Sequence, residues 1–168
     1  MSGPKSLQPE QTRRYARHIL LPDVGGIGQQ RLLSAQVAVR VGIDASAQAV
    51  ALAYLAAAGI GRIFLTGDTD GPVINAEVDQ SIVLGREDVG KPRSEALIAR
   101  LTAINPEVLV SVSVSGPPES ATVLEVTPQA TEDRSGLPIE ATVVTSALVD
   151  GSAAAAKLIA NIARGSTP

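Results

Sequence analysis

No cysteine occurs among the 168 residues. Disulfides, thiolate metal sites and cysteine nucleophiles are therefore excluded. Aromatic side chains are nearly missing as well, with Tyr15, Tyr54 and Phe64 making up the whole set. A core must come from Val, Ile, Leu and Ala, which bury less area per residue at roughly 25 cal/mol per Å². Close helix–sheet packing, or burial in a dimer, has to supply what large rings usually do. There is no basic surplus, since 14 Lys and Arg face 17 Asp and Glu; nucleic acid is not an expected partner. The longest apolar stretch, Ala49 to Ile60, is too short and too alanine-rich to span a bilayer. Met1 to Gln11 is polar and lacks the apolar region of a signal peptide. A cytoplasmic protein without membrane contact is expected. His18 is the one histidine, and alone it makes no metal site.

What is present is a globular composition, 45% hydrophobic and 18% charged, read as one domain over 1–168 with a loose tail at 1–8. Pro9 to Ile19 suits a helix with proline in its first turn. Leu20 to Gly28 carries Pro22, Gly25, Gly26 and Gly28 and reads as a loop, with a short helical piece from Gln29 to Ser34. Strands are expected at Val37–Val41, Ile63–Thr66, Val108–Val114, Ala121–Val126 and Thr142–Val149. Helices are expected at Ala45–Ala58, stopped by Gly59; from Lys91-Pro92 to about Ala103; and at Ser152–Ala163, capped by Ser152 and ended at Gly165. Gly67 to Pro72 reads as a loop and the stretch to Val89 is poorly defined. Thr127 to Glu140 reads as an exposed polar loop. Strands alternating with helices predict a mostly parallel sheet with helices on its faces.

Three stretches carry a resemblance. Arg14-Tyr15-Ala16-Arg17-His18-Ile19-Leu20-Leu21-Pro22, continuing to Gln30, is similar to the opening signature of the ThiF/MoeB/HesA adenylating proteins. Tyr54 to Gly61 resembles the end of their first Rossmann helix and the turn into the second strand. Asp88-Val89-Gly90-Lys91-Pro92-Arg93-Ser94-Glu95-Ala96, running to Pro106, resembles their next helix. The resemblance implies an α/β, Rossmann-like fold: a mostly parallel sheet with helices on both faces, preceded by an N-terminal helical segment. The C-terminal part matches less well. Gly151-Ser152 with Ala155, Ile159 and Ile162 resembles a late family helix, which would make the segment before Thr142 an internal contraction. Alternatively, Thr142 to Gly165 is the family's fourth strand and helix with a C-terminal truncation.

Members of that family bind ATP and magnesium and adenylate a C-terminal carboxylate, commonly that of a ubiquitin-like sulfur carrier. They are typically homodimers, with an arginine of the opening signature, here Arg17, reaching the neighbouring nucleotide. This chain departs from the pattern at the phosphate loop. Gly42-Ile43-Asp44-Ala45-Ser46-Ala47 stands where the family has Gly-x-Gly-Gly-x-Gly, and only Gly42 matches a glycine. Asp44 or Ser46 is expected to cap the following helix instead.

The other positions are partial matches. Asp68 stands one residue late for the family's ribose acid and suits a plain turn better. Asn75 aligns with the family's Asn-x-x-Arg, but Val78 occupies the arginine position, between Glu77 and Asp79. Two acids and an aliphatic do not stabilise phosphate charge. Arg93 replaces a family lysine, with Lys91 two residues before it; both are residual anion-binding candidates or surface charges at a helix start. Arg40 lies in an apolar strand and must be paired or sit at the strand's end.

Arg17, Gly42, Asp68, Lys91 and Arg93 are thus the residual cofactor-binding positions, and no residue is assigned as catalytic. The expectation is a non-catalytic homologue that acts through dimerisation or a protein partner and needs no cofactor. ATP and magnesium enter only under the alternative of a working adenylyltransferase that uses these shifted residues. A third reading is a module for another small ligand at the sheet's C-terminal edge.

Overall fold

The β-branched run Gln36–Val41 forms the central strand β1 of a four-stranded parallel sheet, ordered β3-β2-β1-β4. The structure is a computed structural model that describes residues 7–43, 45–126 and 139–166; for 139–145 it describes the backbone alone. The other strands are β2 (Arg62–Gly67), β3 (Leu109–Val112) and β4 (Thr122–Leu124). The helices are α1 (Pro9–Arg14), α2 (Ala16–Ile19), α3 (Gly25–Ser34), α4 (Ser46–Ala58), α5 (Asn75–Asp79), α6 (Arg93–Ile104) and α7 (Ile139–Arg164), with one 3₁₀ turn at Arg86–Asp88.

Period-two alternation gives the sheet two faces. Val37, Val39 and Val41 of β1 are buried beside Ile63 and Leu65 of β2, and they join one apolar cluster with α4, α6 and α7. The opposite face carries Arg40 (exposed), Phe64 (half-buried) and Val123 (exposed). Arg40 is thus the penultimate residue of β1 and points to the open face. Its stem lies against Gly67, where an added Cβ would come within 2.9 Å of Arg40 Cγ.

α4 and α6 are crossovers between neighbouring parallel strands in the same direction, and both pack on the Val37 face. The return from β3 to β4 must pass β2 and β1, and residues 113–121 make it without a helix.

Four expectations are corrected. The strand expected at Thr142–Val149 belongs to α7, which runs unbroken from Ile139 to Arg164. β-branched residues favour strands only where a sheet is there to receive them. Here Ala147, Gly151, Ala155 and Leu158 recur at helical spacing and are buried, so packing against α4 decides the conformation. An ideal Cβ on Gly151 would lie 2.1 Å from the Ala47 carbonyl oxygen, so this glycine serves close approach and not a helix start. Ser152 is consequently no cap; its hydroxyl donates to the Val149 carbonyl within α7.

The loop expected over Leu20–Gly28 ends early, because α3 already begins at Gly25. Gly28 sits inside α3 in tight contact with α7, its ideal Cβ 3.2 Å from Ala163. The helix expected over Pro9–Ile19 is split at Tyr15, whose backbone leaves helical values.

Gly59 ends α4 in the left-handed region at φ 86°, as its position predicts. Asp44 and the expected loop residues 127–138 lie outside the described residues.

Candidate functional site

At the C-terminal end of the sheet, the β1–α4 turn, α5 and the start of α6 enclose a crevice. A turn closed by the Ala45 N–H donating to the Gly42 carbonyl (3.2 Å) leads into α4. Ala45 is the N-cap and supplies no side-chain cap bond. The expectation that Ser46 caps α4 is therefore corrected: Ser46 is already the first helical residue.

Arg93 forms the floor. It is the first residue of α6, where a cation opposes the helix dipole, and it is 2% exposed. Two carboxylates hold it there. Nε donates to Glu77 Oε1 at 2.6 Å and NH2 to Glu77 Oε2 at 3.0 Å, a bidentate fork. NH1 donates to Asp68 Oδ2 at 2.8 Å and to the Asp68 carbonyl at 2.7 Å; NH2 also donates to the Pro72 carbonyl at 3.3 Å. A guanidinium has five N–H donors, and five bonds are made. The hydrogen bonds that Arg93 donates to Glu77, outweighing desolvation, raise the Arg93 pKa above its ordinary value.

The acids are themselves anchored. Glu77 Oε2 accepts the Ile74 N–H at 3.0 Å, and Asp68 Oδ1 accepts the Gly71 N–H at 3.1 Å. Asp68 therefore plays the turn role. The cavity left above Arg93, lined also by Gly42, Ser46 and Gln80, has a volume of about 20 Å³. A water needs roughly 10–15 Å³, so the space is of the size of one or two waters.

The remaining sequence candidates lie apart. Lys91 Nζ bonds Asp88 Oδ1 at 3.2 Å and does not line the crevice. Asp88 also accepts the Gly85 N–H (2.9 Å) and Arg100 Nε (2.8 Å), while Arg100 NH2 pairs with Glu87. Burial alone would push the Asp88 carboxyl up, but these three donors together hold it below its ordinary range. This cluster ties the 3₁₀ turn to α6. Arg17 is exposed on α2 and forms no ion pair among the described residues. Gly42 alone of the phosphate-loop positions borders the crevice as a glycine.

The opening signature does structural work. Tyr15 is 1% exposed, stacks on His18 and lies under Gly59. Its hydroxyl donates to Glu107 Oε2 (3.2 Å) and accepts from Asn105 Nδ2 (2.9 Å). Burial, as the largest effect, raises its pKa. Gln29 Nε2 donates to the Ala58 carbonyl at 2.9 Å, which leaves Oε1 to accept from His18 Nδ1 at 3.2 Å. His18 thus stacks on Tyr15 and bonds Gln29, joining α2 to α3.

Two determinants escaped the sequence. Glu77 stands sixteen positions before Arg93, a spacing with no motif value. Asn105 reads as a helix stop and gives no sign of its buried bonds. No group of three metal-ligating side chains exists among the described residues, and no described helix is long and apolar enough to cross a membrane.

Comparison with known proteins matches residues 15–135 to the ThiF family. The sulfur carrier protein ThiS adenylyltransferase of Escherichia coli is 39% identical over 95 residues, 56% of this chain and 36% of that protein. The SAMP-activating enzyme E1 of Haloferax volcanii is 39% identical over 105 residues, 62% of this chain and 37% of that protein. The chain thus spans little more than a third of the length of these curated relatives. In a crystal structure of E. coli MccB with MccA-N7isoASN, the fold recurs at TM-score 0.66 over 92% of this chain and 66% of that one, with 17% identity.

Proposed function

We propose, this chain being a member of the ThiF family, that it acts by binding a protein partner and not by adenylating one. The observation that carries the reading is the saturation of Arg93. All five of its donors are engaged by Glu77, Asp68 and Pro72, so none is left for a phosphate. The two carboxylates leave the cluster with a net negative charge.

The residues of the crevice do not fit ATP and magnesium. Glycines that would let the backbone approach phosphate are replaced by Cβ-bearing residues after Gly42, and the cavity of about 20 Å³ admits water. The partner class is supported by the relatives, whose names assign them to the sulfur carrier ThiS and to SAMP. A ubiquitin-like carrier or a second copy of this chain is the proposed partner. The exposed apolar residues Leu20, Leu21 and Ile27 lie close in sequence to Arg17 and offer a surface for pairing.

Titration calorimetry with ATP and magnesium is expected to give no heat at micromolar ligand; micromolar binding sinks the reading. The rival, a working adenylyltransferase using Asp68, Lys91, Arg93 and a neighbouring Arg17, draws on the adenylyltransferase names of the relatives. Exchange of labelled pyrophosphate into ATP in the presence of a carrier would support it.

A further inference from the structure

The crevice holds an anion already, and that anion is part of the chain. Glu77 meets Arg93 through two parallel bonds of 2.6 and 3.0 Å, the geometry by which a guanidinium binds any planar or tetrahedral oxyanion. Both side chains are nearly sealed from water, at 2% and 5% exposure. Asp68 completes the set from the rim, with its side chain 54% exposed.

A charged arginine buried without a counter-ion is strongly unfavourable. The site therefore needs an anion at this place, and the only question is its source. Glu77 is delivered by α5, a five-residue helix whose first turn it also fastens through the Ile74 N–H. The counter-ion is thus tethered next to its cation at high effective concentration, and a free anion has to displace it.

We infer that Glu77 is the specificity-determining residue of the crevice, a built-in counter-ion that excludes phosphate, and that the same crevice binds inorganic phosphate once this carboxylate is removed. The inference rests on the reading of the chain as a non-adenylating member and goes beyond it. It names the residue that closes the site and the ligand class the site takes when opened. Glu77→Ala vacates both the charge and the space beside Arg93 Nε and NH2. Glu77→Gln keeps the shape and removes the charge.

The experiment compares phosphate-dependent thermal stability and calorimetric phosphate binding of the full chain, the Glu77→Ala chain and the Glu77→Ala/Arg93→Met chain. Chloride at equal ionic strength is the control. Glu77→Ala is expected to bind phosphate at least about ten-fold more tightly than the unaltered chain, the gain of one hydrogen bond to a charged group. The double variant is expected to lose that gain. A folded Glu77→Ala chain with unchanged phosphate affinity overturns the inference.

Should Glu77→Ala be unfolded in buffer, circular dichroism during a phosphate titration decides. Refolding by phosphate and not by chloride supports the inference. If phosphate does not refold it, Glu77→Gln is measured instead; a folded Glu77→Gln chain indifferent to phosphate overturns the inference, and one stabilised by phosphate supports it. Micromolar ATP binding by the unaltered chain would overturn the proposed function, whereas unchanged phosphate affinity in folded Glu77→Ala overturns only the role given to Glu77.

Discussion

Asn105 binds Tyr15 and α4 at once: its Nδ2 donates to the Tyr15 hydroxyl at 2.9 Å and to the Ala56 carbonyl at 2.8 Å, and all of these groups are buried. The residue that ends α6 thereby joins the N-terminal segment to the C-terminal turn of α4. Asn105→Ala removes both bonds from a site water does not reach. The expected loss is about 1–3 kcal/mol, read as a lower urea midpoint at unchanged slope. A variant as stable as the unaltered chain would show that Tyr15 and Ala56 find other partners.

The α4–α7 seam separates two neighbouring substitutions. Gly151→Ala places a methyl 2.1 Å from the Ala47 carbonyl oxygen, and since the atom met is backbone, a helix must shift. Overpacking of this kind costs about 1–3 kcal/mol. Ser152→Ala, one residue on, is expected to stay within about 0.5 kcal/mol, as an ordinary helix position does. A cap at Ser152 would instead cost about 1 kcal/mol. Thermal unfolding of the two variants therefore tests whether α7 is continuous.

Legibility in the sequence followed the range of the interactions. β1, β2 and α4 were readable because each is decided locally, by a β-branched or alanine-rich run and by Gly59 at its close. α7 was not. Thr142, Val143, Val144 and Thr145 favour a strand by intrinsic preference, and what overrules them is the fit of Gly151 and Ala155 against a helix a hundred residues earlier. The same holds at the site. That Gly42 is followed by Ile43, Asp44, Ala45, Ser46 and Ala47, with no further glycine, is plain in the sequence. That Arg93 turns inward to Glu77 follows from where α5 folds back, which no spacing encodes. Arg93 and Lys91 look alike on paper, yet one is sealed in the crevice and the other serves Asp88.

Acid should weaken the chain through Asp88. Its carboxyl titrates below the ordinary value in the fold, because the Gly85 N–H, Arg100 and Lys91 outweigh the burial that would raise it. A depressed carboxylate pKa contributes stability above the unfolded value and loses it as pH falls through the folded one. The window is therefore below about pH 4, the unfolded range for aspartate. Asp88→Asn is expected to be less stable at neutral pH and to show a flatter decline in that window. A parallel decline in both chains would assign acid lability to other carboxylates.

Self-association is the fourth expectation. Leu20, Leu21 and Ile27, within eight residues of one another, are 81%, 51% and 64% exposed, and a contiguous exposed apolar patch marks a contact surface. Sedimentation equilibrium is expected to give a dimer, and Leu20→Glu with Leu21→Glu to shift it to monomer without altering the circular dichroism spectrum. A monomer at all concentrations removes the second copy from the proposed partners and leaves the carrier protein.

α4 is bolted down at one end. Its last carbonyls are gripped by Gln29 and Asn105, and Gly59 closes the final turn; its opening turn has no described side-chain cap and leans on α7 where Ala47 meets Gly151. In mechanical terms the helix is held at both ends by different means, hydrogen bonds at its last turn and close packing on α7 at the turn that borders the crevice. The edge of the crevice is therefore placed by the α4–α7 contact and not by a capping side chain of its own.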